Sequence, residues 1–455
     1  MRRGESVGRR VLSWTIPALF AGWLLLPWEV SAFLPPRSLL IFPFEPAALS
    51  PDERWMGEGV AQSLALAFAR HPGFTQVDPN RLKRLGRQDT WNESAVLAAA
   101  GSVKADVAFF GEIQRVAGKV TLRPGYVEVK AGQWERHALE PAIVPGGELL
   151  DALPELSLAY VRSLGVALTE AETAKMAKAA KPTASLRAFE TFVRGLMAFS
   201  KGTQDANEVA AELFGKAAEM DPGFAVAQHF LGLVHYTLGN RWKAAAHFRA
   251  SIQLDPTYPE PYKALGDLFM TSPRRLYAQA VEAYQKALEF RPFYADASVG
   301  LGDAMAAKGD SDGAIGHYQR ALASNPLNPK IHASLGKIYY AEKGLYYESV
   351  ASYKKAIELD PQFLDARMGL GEVYEDKGLY SEAIEEYRRV VALDPKHTGA
   401  LYNLALAYEK VSPGEAVAHW ERYIAVAGDI PSEKDWVDVA RQHLRKLKSQ
   451  VGPGR

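Results

Sequence analysis

The chain has 455 residues, its 53 Lys and Arg balance 53 Asp and Glu, and it contains no cysteine. A hydrophobic fraction of 48% with 23% charged residues belongs to a folded chain of roughly two or three domains, which excludes disorder over most of its length. The neutral balance gives no general pull toward nucleic acid or an anionic membrane surface, and the missing cysteine excludes disulfides, thiolate metal sites, a cysteine nucleophile and a lipid-modified cysteine.

Residues 1–32 read as a leader. Arg2, Arg3, Arg9 and Arg10 precede an apolar run from Val11 to Trp28, and Val30-Ser31-Ala32 offers the small residues that a signal peptidase accepts. The expectation is a cleaved signal peptide, which implies export to a periplasm. An uncleaved anchor facing the periplasm is the alternative, because the run approaches the ~17 to 25 residues that cross a bilayer.

From 37 to 168 the pattern is that of a small α/β domain. Leu39-Leu40-Ile41-Phe42 predicts a buried strand, and Ser50-Pro51-Asp52-Glu53 opens an amphipathic helix running to Arg70. Phe74 to Val77 predicts a second strand and Glu93 to Val103 an alanine-rich helix. Val107 to Ile113 and Val120 to Leu122 flank the turn Ala117-Gly118-Lys119, Tyr126 to Val129 alternates as another strand, and Glu148 to Leu168 closes the domain as a helix. Three stretches carry a resemblance: Leu39-Leu40-Ile41-Phe42-Pro43-Phe44, Met56-Gly57-Glu58-Gly59-Val60, and Ala105-Asp106-Val107-Ala108-Phe109-Phe110-Gly111-Glu112. They resemble the TolB-like amino-terminal domain, which implies recognition or assembly at a bacterial cell envelope and transfers no catalytic residue. Residues 169–186, rich in alanine and lysine, predict a helical linker.

Beyond the linker, Pro222, Pro256, Pro292, Pro326, Pro361 and Pro395 recur at intervals of 34, 36, 34, 35 and 34 residues. A two-helix pattern precedes each. It reads Leu231-Gly232, Ala244 and Phe248 in one unit, then Leu265-Gly266, Phe269, Ala280, Tyr284 and Ala287 in the next. The following units give Leu301-Gly302, Ala314, Tyr318 and Ala321, then Leu335-Gly336, Tyr339, Tyr353 and Ala356, then Leu370-Gly371, Tyr374, Ala383 and Tyr387. Small residues let paired helices approach, aromatic rings fill the space between hairpins, and proline ends each second helix. The pattern resembles the tetratricopeptide repeat family, which implies a superhelical stack with a concave face for protein partners. The fold class is therefore α+β multidomain, a small α/β amino-terminal domain followed by an all-α solenoid. The array spans 187–430 with six to seven repeats, and a capping helix at 431–449 is expected to turn Trp436, Val439 and Leu444 inward.

First helices line the concave surface of such a stack, and their residues at i, i+3 and i+7 point into it. That register assigns Glu260, Lys263 and Asp267, then Asp296 and Asp303, then Lys330 and Lys337, then Asp365, Met368 and Glu372 to a partner-binding groove of acidic bias, suited to a segment carrying Lys or Arg. In the cluster Tyr339-Tyr340 and Tyr346-Tyr347, Tyr339 is in register with core residues; Tyr340 and Tyr347 are the candidate anchors. No phosphate loop, nucleophile elbow or zinc motif is present, and no catalytic, cofactor-binding or metal residue is assigned. His229 and His235, six apart, do not share a helix face and are assigned to packing or surface. The reading is a non-enzymatic periplasmic scaffold that binds a protein or peptide. The alternative is a regulatory or chaperone-like subunit of a separate envelope enzyme. An enzyme with a repeat dock would need Glu58, Asp78, Asp106 and Glu112 to converge.

Overall fold

The structure is a computed structural model and describes residues 36–77 and 91–451, so the leader and Asp78 lie outside the described residues. In chain order the front part holds β1 (Arg37–Ile41), β2 (Glu45–Pro46), α1 (Trp55–Phe68), β3 (Phe74–Gln76), α2 (Glu93–Ser102), β4 (Val107–Val116), β5 (Lys119–Lys130), β6 (Gln133–Ala138), β7 (Ala142–Pro145) and α3 (Leu149–Ser163). The strands form one sheet in the order β3-β1-β4-β5-β6, with β2 paired to β4 and β7 to β5. β1 runs parallel to both β3 and β4 and is buried on its two faces, as an inner parallel strand requires. Leu39 packs with α1 on one face, and Leu40 packs with Val96 and Ala99 of α2 on the other.

Two glycines of the front motifs are seats for Phe44. A Cβ on Gly57 would meet the Phe44 carbonyl oxygen at 2.1 Å, and one on Gly111 would meet the Phe44 ring at 2.4 Å. No other residue fits there without moving the strand-to-helix loop. Ala117 and Gly118 both take positive φ, at 50° and 77°, and make the tight β4–β5 turn. The structure replaces the two strands expected around Val120 and Tyr126 with the single strand β5. Pro124 does not break it, because it falls between the stretch paired with β7 and the stretch paired with β6.

Helix α4 (Glu170–Ala180) begins with a Thr169/Glu172 capping box and packs against α1 and α3, with Met176 and Ala180 fully buried. Seven hairpins follow among the described residues: α5 (Leu186–Phe199) with α6 (Gln204–Met220), α7 (Ala225–Thr237) with α8 (Arg241–Leu254), α9 (Pro259–Met270) with α10 (Tyr277–Phe290), and α11 (Ala295–Ala307) with α12 (Ser311–Ser324). Then come α13 (Pro329–Ala341) with α14 (Tyr346–Leu359), α15 (Leu364–Asp376) with α16 (Tyr380–Leu393), and α17 (Thr398–Val411) with α18 (Pro413–Ala427). Helix α19 (Lys434–Val451) closes the stack. Its buried stripe is Val437, Ala440 and Leu447, and of the expected Trp436, Val439 and Leu444 only Leu444 packs against this core, half-buried. Trp436 is 56% exposed and sits edge-on to Tyr402 at the rim of the contact.

The Leu-Gly pairs have one mechanical role. A Cβ on Gly266 would lie 2.5 Å from the Tyr284 ring, and one on Gly300 of the next hairpin 2.4 Å from the same ring. Tyr284 is thus a wedge held between two hairpins. Tyr353 repeats the arrangement between Gly336 and Gly369, while Gly195 and Gly232 receive Phe214 and Phe248. Aspartates before the prolines earn their place through turn geometry: Asp221, Asp255, Asp360 and Asp394 each accept the backbone N–H two residues on.

Front domain and array share one core. It runs without a break from Leu39 and Phe109 through Leu64 and Phe68 to Phe189, Phe192, Phe224 and Tyr258. Arg194 donates to the Asp52 carbonyl oxygen at 2.7 Å, and Lys178 pairs with Asp255 at 2.8 Å across the same seam. Helix α4 therefore acts as packing material.

Candidate protein-binding groove

Successive first helices touch one another, α7 with α9, α9 with α11, α11 with α13 and α13 with α15. Such crowding puts the first helices on the inner side of the curve, where a solenoid forms its extended binding surface. Glu260, Lys263 and Asp267 on α9, Asp296 and Asp303 on α11 and Lys330 at the start of α13 line one cavity of about 660 Å³. Its opposite wall comes from the front domain, through Gln62 and Ala65 of α1 and Phe74, Thr75 and Gln76 of β3. Lys337, Tyr340, Asp365, Met368 and Glu372 lie beyond this cavity on α13 and α15.

Glu260 is not open to a partner. Arg70, just past the end of α1, holds it with both guanidinium arms at 2.8 and 2.9 Å, and Arg291 approaches its Oε1 at 3.4 Å. The side chains of Arg70 and Glu260 are about one-sixth exposed. Burial alone would raise the Glu260 carboxyl, but the two guanidinium groups outweigh it and hold the group below the usual carboxylate range. Tyr258 lies 5.3 Å beneath Arg70, and Tyr294 lies 4.4 Å beneath Arg291.

The next carboxylates are pinned by the repeat tyrosines. Tyr284 donates to Asp267 at 2.8 Å, Tyr318 to Asp303 at 2.6 Å and Tyr387 to Glu375 at 2.9 Å. Lys263 completes the set on Asp267 at 2.7 Å. Although solvent reaches Asp303, the groove walls desolvate its carboxyl and push it up, aided by Asp267 and opposed by the Tyr318 hydrogen bond and Lys337. Glu372 is raised in the same way, by desolvation and then by Glu375 and Asp376. Asp296, Asp365, Lys330 and Lys337 are exposed, and Asp296 acts on Lys263 through its field alone. Met368 is half-buried against the core of the last hairpins. Tyr340 donates to Asp376 at 3.1 Å, and Lys377 sits over the Tyr340 and Tyr346 rings. Tyr347 is 81% exposed.

The other chemistry-bearing residues stay apart. Asp106 accepts both the backbone N–H and the hydroxyl of Ser38, Glu112 faces Arg123 on the open sheet, and Glu58 lines a separate cavity of about 750 Å³ beside Arg194. Glu128, Glu135 and His137 come together on β5 and β6, but Arg37 and Lys130 already neutralise Glu128, each at 2.6 Å. His229 is buried among Phe230, Phe248 and Tyr258, and burial pushes its imidazole down to about 4. His235 stacks on His247. Among the described residues no helix is long and apolar enough to cross a membrane.

Of the residues that sequence register assigned to the groove, Glu260, Lys263, Asp267, Asp296, Asp303 and Lys330 line this cavity, while the front-domain wall and Arg70 were missed. The Arg70–Glu260 contact joins residues 190 apart, and no local pattern signals a contact of that range.

Residues 197–259 and 338–398 match one family model of the tetratricopeptide repeat, and residues 302–342 match a second TPR model. Among curated proteins, anaphase-promoting complex subunit 3 of Schizosaccharomyces pombe is 31% identical over 123 residues, 27% of this chain and 18% of that protein. Small glutamine-rich tetratricopeptide repeat-containing protein 2 of Mycosarcoma maydis is 32% identical over 111 residues, 24% of this chain and 31% of that protein. The chain thus spans less than a third of the length of these curated relatives. Among solved structures, YrrB, described as a TPR protein with an unusual peptide-binding site, is 23% identical with a TM-score of 0.35, covering 45% of this chain and all of YrrB. The APC/C hetero-tetramer Cut9–Hcn1 is 17% identical with a TM-score of 0.46, covering 66% of this chain and 55% of that one. The hairpin array is one of tetratricopeptide repeats.

Proposed function

We propose that this chain is a non-enzymatic scaffold that holds a protein partner along the inner face of its tetratricopeptide array, and that it does so after export, within a periplasmic assembly of a bacterial envelope. Proteins built from such repeats bind other proteins on extended concave surfaces. The observation that carries the reading is the run of exposed charge from Asp296 to Glu372 on consecutive first helices. Its acidic groups suit a segment bearing Lys or Arg, with charge setting the choice of partner. Location rests on the leader pattern that ends at Val30-Ser31-Ala32 and on the cysteine-free composition. The front domain's element order, with its glycine seats beneath Phe44, supports a TolB-like recognition module.

Capture from solubilised envelopes with the full chain as bait tests this. Reversing Asp296, Asp303 and Glu372 to Lys together is expected to lose the partner that the unaltered chain recovers. Equal recovery by both would defeat the reading.

A further inference from the structure

The groove already holds one basic side chain, and it belongs to the chain itself. Arg70 sits on Glu260 with Tyr258 beneath it, at the first-turn position of α9. Two repeats carry the same spacing of aromatic and acid: Tyr294 just before α11 with Asp296 on it, and Phe363 just before α15 with Asp365 on it. Each has a second acid seven residues on, Asp303 and Glu372. Between them, α13 presents Lys330 and Lys337 at the same two positions. Beyond the acid that Arg70 fills, the inner face therefore alternates by repeat, acid at Asp296, base at Lys330 and acid at Asp365.

Resting on the scaffold reading, we infer that the partner lies along this groove as an extended segment whose charges alternate in register with the repeats. An Arg or Lys meets Asp296 and Asp303, an acidic residue meets Lys330 and Lys337, and a second Arg or Lys meets Asp365 and Glu372. Packed helices stand about 8–10 Å apart. A polyproline II segment rises about 3.1 Å per residue with three residues per turn, so every third side chain points the same way about 9 Å on. The two spacings match, which selects a basic-x-x-acidic-x-x-basic segment. The front domain fixes where it starts, because α1 and β3 wall the cavity and Arg70 fills the preceding position.

Fluorescence anisotropy with the full chain tests the register, using labelled Arg-Pro-Pro-Glu-Pro-Pro-Arg and its charge inverse Glu-Pro-Pro-Arg-Pro-Pro-Glu. The first peptide is expected to bind at least about tenfold more tightly, since a few surface pairs of modest strength separate the two. Asp296→Asn with Asp303→Asn, which keeps an acceptor for Tyr318, is expected to cut that preference by about tenfold. Lys330→Glu with Lys337→Glu should shift it toward a peptide with three arginines. Unchanged melting curves exclude misfolding of these exposed-site variants. Equal binding of the two peptides, or a preference untouched by the variants, overturns the charge register. A partner still crosslinked to the inner face in that case would leave the scaffold reading standing, whereas no inner-face contact at all would remove both.

Discussion

Replacing Tyr284 by alanine is expected to cost about 3–5 kcal/mol, the range for deleting a large buried ring from a packed site. The ring is 2% exposed and fills the space left by two missing side chains, Gly266 in its own hairpin and Gly300 in the next. No neighbour can collapse into that volume without helix movement, because both glycine surfaces are backbone. The loss falls on the interface between the third and fourth hairpins, and a solenoid depends on each nearest-neighbour interface. Tyr284→Phe separates ring from hydroxyl: it keeps the wedge, gives up the hydrogen bond to Asp267, and should cost about 1–3 kcal/mol. Urea unfolding of the three proteins checks this. Alanine and phenylalanine variants of equal stability would show that the wedge is unimportant.

A loss of similar size, about 3–5 kcal/mol, is expected from Glu260→Gln, which leaves the largely desolvated Arg70 and Arg291 side by side without their shared anion. Taking charges out of water is unfavourable, and the pair survives only because the fork geometry and both arginines satisfy the carboxylate. Arg70→Met combined with Glu260→Met removes the most deeply paired charges together and should recover more than half of the loss. A double variant as unstable as the single one would mean that the contact acts through packing, not charge. The seam itself also responds, since Arg70 joins the front domain to the third hairpin. Protease cleavage around residues 70–77 should accelerate in Glu260→Gln.

The array was legible because its signals are local and repeated. Leu-Gly, aromatic and Asp-Pro positions report short-range contacts, glycine beneath ring and carboxylate over turn, that recur in most repeats, with Arg291 and Asn325 in place of the aspartate in two of them. In the front domain the strand at Leu39 and the helix from Ser50 were equally plain. Strand β5 was not, because Pro124 looks like a breaker until it is seen to fall between the stretch paired with β7 and the stretch paired with β6. The closing helix was misread at its start, since tryptophan at 436 resembles a core residue while lying at the rim, whereas Leu444 does pack against the core. The six residues that line the cavity with the front domain were reached from register alone. Their state did not, because whether Glu260 is free depends on Arg70, and whether Asp267 is free depends on Lys263 and Tyr284.

The most direct measurement is site-specific photo-crosslinking in cells that make the chain, with a photoreactive residue at Val299 on the inner face or at Gln285 on an exposed second helix. One discrete polypeptide should be trapped from position 299 and none from 285. Trapping from 285 with nothing at 299 would contradict the claim that the array works through its hollow.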